Sequence, residues 1–392
     1  MNKKAIAILG AIFILIVGTL GFLIYAKYGK KDNGSTPPPA NNVVDNQGDN
    51  PVDTGTDNYV TPTTTPSGYN NLFSKFVKLT EQEQIVSPVL FFNGSGITFF
   101  DKDGKLYQAD LQDEAGTLQL SNKRQLEIPA KFNIAKILWP SRSGNFIAEF
   151  HSFGKTSWSF YNNDTGFYTD LPEQVESLDW MPSGDKIIYV WLDSGKASLG
   201  IADPDTKNWK EISEMWELDN SIHISPDGLN ILYYRTNNSE STNAINLTTP
   251  DGKLWRGLVK EGYNYGVLWS PDSSKFIFGK KERNSQKYQL WYYDLLGGEV
   301  KNLGLFTTVE KAVWDKDSRT VYASVPTQGA AEDGGLTTDT FYKIDVTTLE
   351  KKEFKPENLT IDGRGLFLNL SGDKLFFGNA QDGGLYYLDL NQ

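Results

Sequence analysis

Proton-moving chemistry rests on histidines and carboxylates, and this chain of 392 residues holds two histidines against 49 acidic side chains. A Ser-His-Asp nucleophile system needs a histidine base, and neither His151 nor His223 is accompanied by a GxSxG turn that would expose a serine. His223 immediately precedes Ile224, at a place where neighbouring repeats carry Asp179, Leu268 or Val313, so it reads as a residue of the fold. His151 follows the apolar run 146–150 and is expected in a loop. Asp101-Lys102-Asp103-Gly104, Asp203-Pro204-Asp205 and Asp315-Lys316-Asp317 have the look of calcium loops. None continues with the oxygen series and distal glutamate that such a loop needs, and each stands where a hairpin turn is required, which Asp favours on its own. Cysteine is absent, so disulfides and thiolate-bound metals are excluded. No metal or other cofactor is expected. The remaining chemistry lies with Glu217, Glu261 and Glu310, which could cleave a glycosidic bond if two carboxylates stood about 5 to 10 Å apart.

Those residues are spaced by a repeat. An apolar or aromatic residue, a polar turn and a new strand recur at 90–97 (LFFNGSGI), 139–146 (WPSRSGNF), 180–187 (WMPSGDKI), 224–231 (ISPDGLNI), 269–276 (WSPDSSKF), 314–321 (WDKDSRTV) and 368–375 (LNLSGDKL). The spacings of 49, 41, 44, 45, 45 and 54 residues fit one four-stranded propeller blade each and exceed most short solenoid units. The unit is plainest around Trp269: strand 263–269, a Pro-Asp turn, strand 275–279, a polar loop 280–287, strand 288–294, Gly297-Gly298, and strand 299–303. The last repeat ends one strand short, and 76–80 (FVKLT) supplies an outer strand ahead of the first, so it is expected to close a seven-bladed ring. Trp139, Trp180, Trp269 and Trp314 share one register, which predicts contacts between neighbouring blades ahead of a sugar platform.

In such a ring the connections between blades gather at one mouth of the central channel. Trp216, Glu217, Glu261, Tyr263, Tyr265, Phe306, Glu310 and Arg364 fall on them, and loops 235–243, 280–287 and 326–340 open on the same face. Long polar loops on a rigid scaffold are where binding residues concentrate. The phrases SPDG (225–228), WSPD (269–272) and SGDK (183–186 and 371–374), each followed by an apolar strand, resemble the TolB-like propeller repeat over about residues 72–392. The resemblance implies an all-β, seven-bladed propeller. TolB itself carries a small α/β domain before its propeller, and this chain has a different N-terminal region, so TolB's partners do not follow.

Residues 5–26 are free of charge and rich in Ile and Leu, with Lys3, Lys4 and Lys27 at their borders. At about 1.5 Å per residue such a run crosses a hydrocarbon core of about 30 Å, and it lacks the small-residue pattern of a cleavage site. The expected order is a cytoplasmic tail at 1–4, a transmembrane signal anchor at 5–26, a Pro/Thr/Asn/Asp-rich linker at 27–71 too polar to fold, and the propeller at 72–392, outside the cytoplasm. All acidic residues follow position 31 and the net charge is -11, which repels nucleic-acid phosphates. The expectation is therefore a membrane-tethered propeller of a bacterial cell envelope that binds a protein or glycan, with a glycan-processing enzyme using channel-mouth carboxylates as the competing reading. Oligomeric state is not legible in these residues.

Overall fold

A computed structural model describes residues 76–391 apart from 81–83, 92, 130, 132, 141–143, 153–154, 216–219, 237–243, 261–262, 282–286 and 329–334. The expected anchor 5–26 and linker 27–71 lie outside the described residues; among those described, no helix is long and apolar enough to cross a membrane.

The first strand, β1 (Phe76–Lys78), belongs to the last sheet. Blade one is β2 (Ile85–Leu90), β3 (Gly96–Asp101), β4 (Leu106–Glu114) and β5 (Thr117–Leu126); blade two is β6 (Ile134–Leu138), β7 (Phe146–Ser152), β8 (Lys155–Asn162) and β9 (Phe167–Asp170). Blade three follows as β10 (Val175–Trp180), β11 (Ile187–Asp193), β12 (Lys196–Ala202) and β13 (Lys210–Met215), and blade four as β14 (Asn220–Ile224), β15 (Ile231–Arg235), β16 (Ile245–Thr248) and β17 (Trp255–Val259). Blade five is β18 (Tyr263–Trp269), β19 (Lys275–Lys281), β20 (Tyr288–Asp294) and β21 (Val300–Asn302). Blade six is β22 (Ala312–Trp314), β23 (Thr320–Gln328), β24 (Thr338–Asp345) and β25 (Lys351–Phe354). Blade seven joins β26 (Gly363–Leu368), β27 (Lys374–Asn379) and β28 (Leu385–Asp389) to β1. The fold is the seven-bladed propeller that the repeat predicts, closed by its N-terminal strand, with Phe76 opposite Leu388 and Lys78 opposite Tyr386.

The core lies between blades. Leu232 and Tyr234 of blade four pack with Trp269, Phe276 and Phe278 of blade five, and Tyr322 and Phe341 of blade six pack with Leu375 and Phe377 of blade seven. Each sheet thus buries both faces, which explains the continuous apolar second strands such as β3 (GITFFD) and β27 (KLFFGN). The fourth residue of the turn between first and second strands has positive φ in blade after blade. It is Gly94, Gly184, Gly228 and Gly372, but Ser273 (φ 60) and Ser318 (φ 53) in blades five and six. Those two serines face the preceding blade, where Ser273 Oγ accepts the Asp227 N–H and Ser318 Oγ the Asp272 N–H, both at 3.0 Å.

Three details differ from the expectation. β23 runs on to Gln328 and β24 begins at Thr338, so ladder pairing takes up both ends of the expected loop 326–340. β19 likewise continues through Lys281. His151 pairs with Thr156 inside the β7–β8 ladder and is a strand residue, because that hairpin is tighter than its polar composition suggests.

Candidate functional site

In a four-stranded antiparallel blade, the turns after the first and third strands share one end. The turn after the second strand and the connection to the next blade share the other. On that second, loop-rich face, among the described residues, a dense polar cluster stands at the seam between blades six and seven. The 3-10 turn Val309–Lys311 delivers Lys311 inward, where it is 4% exposed. Its ammonium donates to Asp339 Oδ2 and Asp362 Oδ1, both at 2.6 Å, and to Thr337 Oγ1 at 2.8 Å. An ammonium has three N–H bonds, and all three are used.

The two carboxylates are held from both blades. Asp339 Oδ2 also accepts the Ser324 hydroxyl at 2.6 Å and the Gly363 N–H at 2.9 Å, while Oδ1 accepts the Thr337 hydroxyl at 2.7 Å. Only glycine allows that approach at 363, since a Cβ there would meet Phe341 Cζ at 2.7 Å and Ser324 Oγ at 2.8 Å. The Arg364 guanidinium spans Asp362 with Nε at 3.2 Å from Oδ1 and Nη2 at 2.8 Å from Oδ2, and reaches the Gly335 carbonyl at 3.0 Å. Asn379 accepts the Asp362 N–H at 2.8 Å, and Gln381 donates to the Thr337 carbonyl at 2.8 Å. Burial by itself would raise the Asp362 carboxyl; the hydrogen bonds and charges of Arg364 and Lys311 outweigh it and hold it at about 2. Two anions and two cations cancel, so the cluster is a neutral brace whose oxygen cage is already filled by an ammonium.

The expected site residues divide accordingly. Arg364 is exposed and anchored on Asp362. Glu310, exposed and next to Lys311, lays its carboxylate against blade five, 3.2 Å from where a side chain at Gly266 would begin. Phe306 is 48% exposed, with the Lys287 ammonium 6.0 Å from its ring centre. Tyr263 and Tyr265 stand in β18, Tyr263 opposite Lys281 and Tyr265 within the irregular register between Tyr263 and Gly266. Trp216, Glu217 and Glu261 lie outside the described residues. Lys311, Thr337, Asp339 and Asp362 were not among the expected residues; a signal was present in Lys311, a cation wedged between Val309 and the apolar run 312–314.

Elsewhere the polar motifs resolve into local bonding. Asp101 Oδ1 accepts the N–H groups of Asp103 and Lys105, each at 2.9 Å, and Asp317 accepts Arg319 N–H at 2.8 Å and Thr320 N–H at 2.7 Å. Asp203 receives Lys186 at 2.7 Å and Asn208 at 2.5 Å. His223 lies 3.2 Å from both Ser221 Oγ and Tyr234 Oη and stacks on the Tyr234 ring; burial, aided by the charge of Lys136, pushes its pKa down to about 3. His151 pairs with Glu149 at 2.5 Å. The four tryptophans at one register all donate their indole N–H to the preceding blade: Trp139 to Ser87 O at 3.1 Å, and Trp180 to Leu138 O, Trp269 to His223 O and Trp314 to Leu268 O at 3.0 Å each.

No protein-family model matches the sequence, and no curated protein matches it. Solved structures do. An oligogalacturonate lyase in complex with manganese is 12% identical, with a TM-score of 0.58 over 80% of this chain and 93% of that one. An oligogalacturonate lyase from Vibrio parahaemolyticus is 11% identical, with a TM-score of 0.57 over 82% and 94%. TolB from Acinetobacter baumannii is 16% identical, with a TM-score of 0.42 over 76% and 79%. At these identities the likeness is one of fold alone: over most of its length the chain is similar in fold to the two oligogalacturonate lyases.

Proposed function

We propose that the chain is a binding propeller, anchored in a bacterial envelope membrane by residues 5–26 and presented outside the cytoplasm on the linker 27–71, with a protein or glycan partner docking on the loop-rich face. The observation that carries this reading is the brace under that face. Among the described residues of that face, Asp339 and Asp362 have fully buried side chains, and both are committed to Lys311. Both carboxylates therefore serve to lock the two blades together. Above the brace, Phe306, Glu310 and Arg364 are exposed. An exposed aromatic and opposite charges on one rigid face are the composition of a binding hot spot, and the linker adds reach on the order of 35 to 40 Å, which raises the effective concentration at a nearby partner.

The test uses the full chain in native membranes with a photo-crosslinker beside Phe306. Wild type should give a discrete adduct with a protein or glycan. The Phe306→Ala and Tyr263→Ala/Tyr265→Ala variants should lower its yield by about tenfold, roughly 1.4 kcal/mol of affinity, at an unchanged melting temperature. Undiminished adduct in both variants would remove this face from consideration. Release of shortened glycan that Glu310→Gln suppresses would instead favour the glycan-processing reading.

A further inference from the structure

The opposite mouth of the channel, ringed by the turns after the first strands, holds a cavity of about 630 Å³. Four successive inner strands wall it, chiefly through Trp139, Asp179, Trp180, His223 and Trp269. That volume suits a small ligand or a long side chain. The three indole N–H groups are spent on backbone carbonyls of the neighbouring blades, so the tryptophans offer the cavity ring surface and no donor. Asp179 is fixed from two blades, Oδ1 accepting the Trp180 N–H at 2.8 Å and Oδ2 the Ile224 N–H at 3.0 Å. A carboxylate has about four lone-pair sites, so each oxygen keeps acceptor capacity, and the residue as a whole is half-buried. His223 is engaged with Ser221 and Tyr234.

Aromatic faces around a fixed, acceptor-only carboxylate select a cation that carries N–H donors. We propose that this cavity binds a primary ammonium or guanidinium at the end of an aliphatic chain, donated to Asp179 and flanked by the tryptophan rings. The protein already places a cation within electrostatic reach: Lys136 of β6, which is exposed, acts on both Asp179 and His223, and its positive charge opposes the arrival of a second cation. The groups around Asp179 are Lys136 from blade two, His223 from blade four and, on its own strand, Glu176, which accepts the Asn220 N–H at 3.3 Å. Burial raises Asp179 to about 6, against its two amide hydrogen bonds and Lys136. The ligand's partner therefore ionises close to neutrality. A side chain of a partner polypeptide and a free polyamine share this chemistry.

The test titrates the full chain in mild detergent with n-butylamine, butylguanidine, Nα-acetyl-lysine methylamide and spermidine, with n-butanol as the neutral control, following tryptophan fluorescence and heat. The cations should bind and butanol should not. Affinity should fall about tenfold from pH 8 to pH 5, since a group one unit below its pKa is about one-tenth ionised. Lys136→Gln, at an exposed position, should tighten binding several-fold, and Asp179→Asn should abolish it. Butanol binding as well as butylamine, affinity indifferent to pH, or Lys136→Gln leaving affinity unchanged would each overturn the proposal. Tighter binding of the acetyl-lysine probe than of spermidine assigns the site to a polypeptide side chain, and the reverse order to a free polyamine.

Discussion

Lys311 is the residue whose loss the fold should feel most. Replacing it by Met fills the same space but leaves Asp339 and Asp362, each 0% exposed at the side chain, facing one another without their shared cation. Removing one partner of a buried ionic network costs about 3 to 5 kcal/mol, so urea unfolding of Lys311→Met should shift by that amount. A shift below about 1 kcal/mol would mean that Arg364 and the hydroxyls suffice. The sign of the pH effect follows from Asp362, whose folded pKa of about 2 lies below the ordinary 3.8. Its stabilisation is present in full above pH ~4, on the order of 2 kcal/mol, and disappears as pH falls through about 2. The difference between the wild-type and Asp362→Asn stability curves should be flat above pH ~5 and narrow between pH ~4 and ~2; a difference that widens on acidification would contradict the ionised brace.

At the scale of elements, the question is what holds one blade to the next. The inner strand of each blade has an unpaired edge toward the channel, and its backbone groups need partners. The indoles of Trp139, Trp180, Trp269 and Trp314 supply them between blades one and two, two and three, four and five, and five and six. Blades one, four and seven carry Leu90, Ile224 and Leu368 at that register, and other devices appear at their seams. Between three and four, Asp179 and Ser177 accept the Ile224 and Ile222 N–H groups at 3.0 and 3.2 Å. Between six and seven stands the Lys311 brace, and between seven and one the Tyr387 hydroxyl accepts the Leu118 N–H at 3.2 Å. Trp314→Phe keeps most of the buried ring and loses the hydrogen bond, an expected cost of about 1 to 2 kcal/mol, whereas Trp314→Ala should cost about 3 to 5. Equal costs in denaturant unfolding would show that the indole contributes area alone. The repeat made the tryptophans legible as contacts between blades because they share one register. The Lys311 brace had no register to reveal it: Lys311 and its partners Thr337, Asp339 and Asp362 are 26, 28 and 51 residues apart in sequence, and only the folded ring joins them. Of the expected binding residues, Glu310 and Arg364 do flank that brace: Glu310 sits on the connection into blade six and Arg364 at the start of β26, and the approach to a first strand is the one feature of the site that the period of the repeat encodes.

For the whole molecule the decisive contact is closure, since a ring is only as stable as the seam where its two ends meet. That seam was legible because the last repeat lacks a strand and 76–80 has the pattern of one. β1 is short, so closure relies on what surrounds its three residues. Leu79 N–H donates to Leu385 O at 2.8 Å, Leu385 N–H to Thr80 Oγ1 at 2.9 Å, and Lys78 pairs with Asp382 at 2.5 Å. Phe76, 5% exposed, packs its ring 5.3 Å from Phe341 of blade six and 6.3 Å from Phe377 of blade seven, so one side chain ties the outer strand to two blades. Phe76→Ala removes that tie and leaves a cavity at an expected cost of about 3 to 5 kcal/mol. Because the missing contacts lie at one seam, native-state hydrogen exchange should accelerate first in β28 and β27, then in β24, while β11 and β15 across the ring keep their protection. Uniform acceleration in all seven blades would mean that the ring opens only as a unit, and that β1 contributes to global stability without acting as a latch.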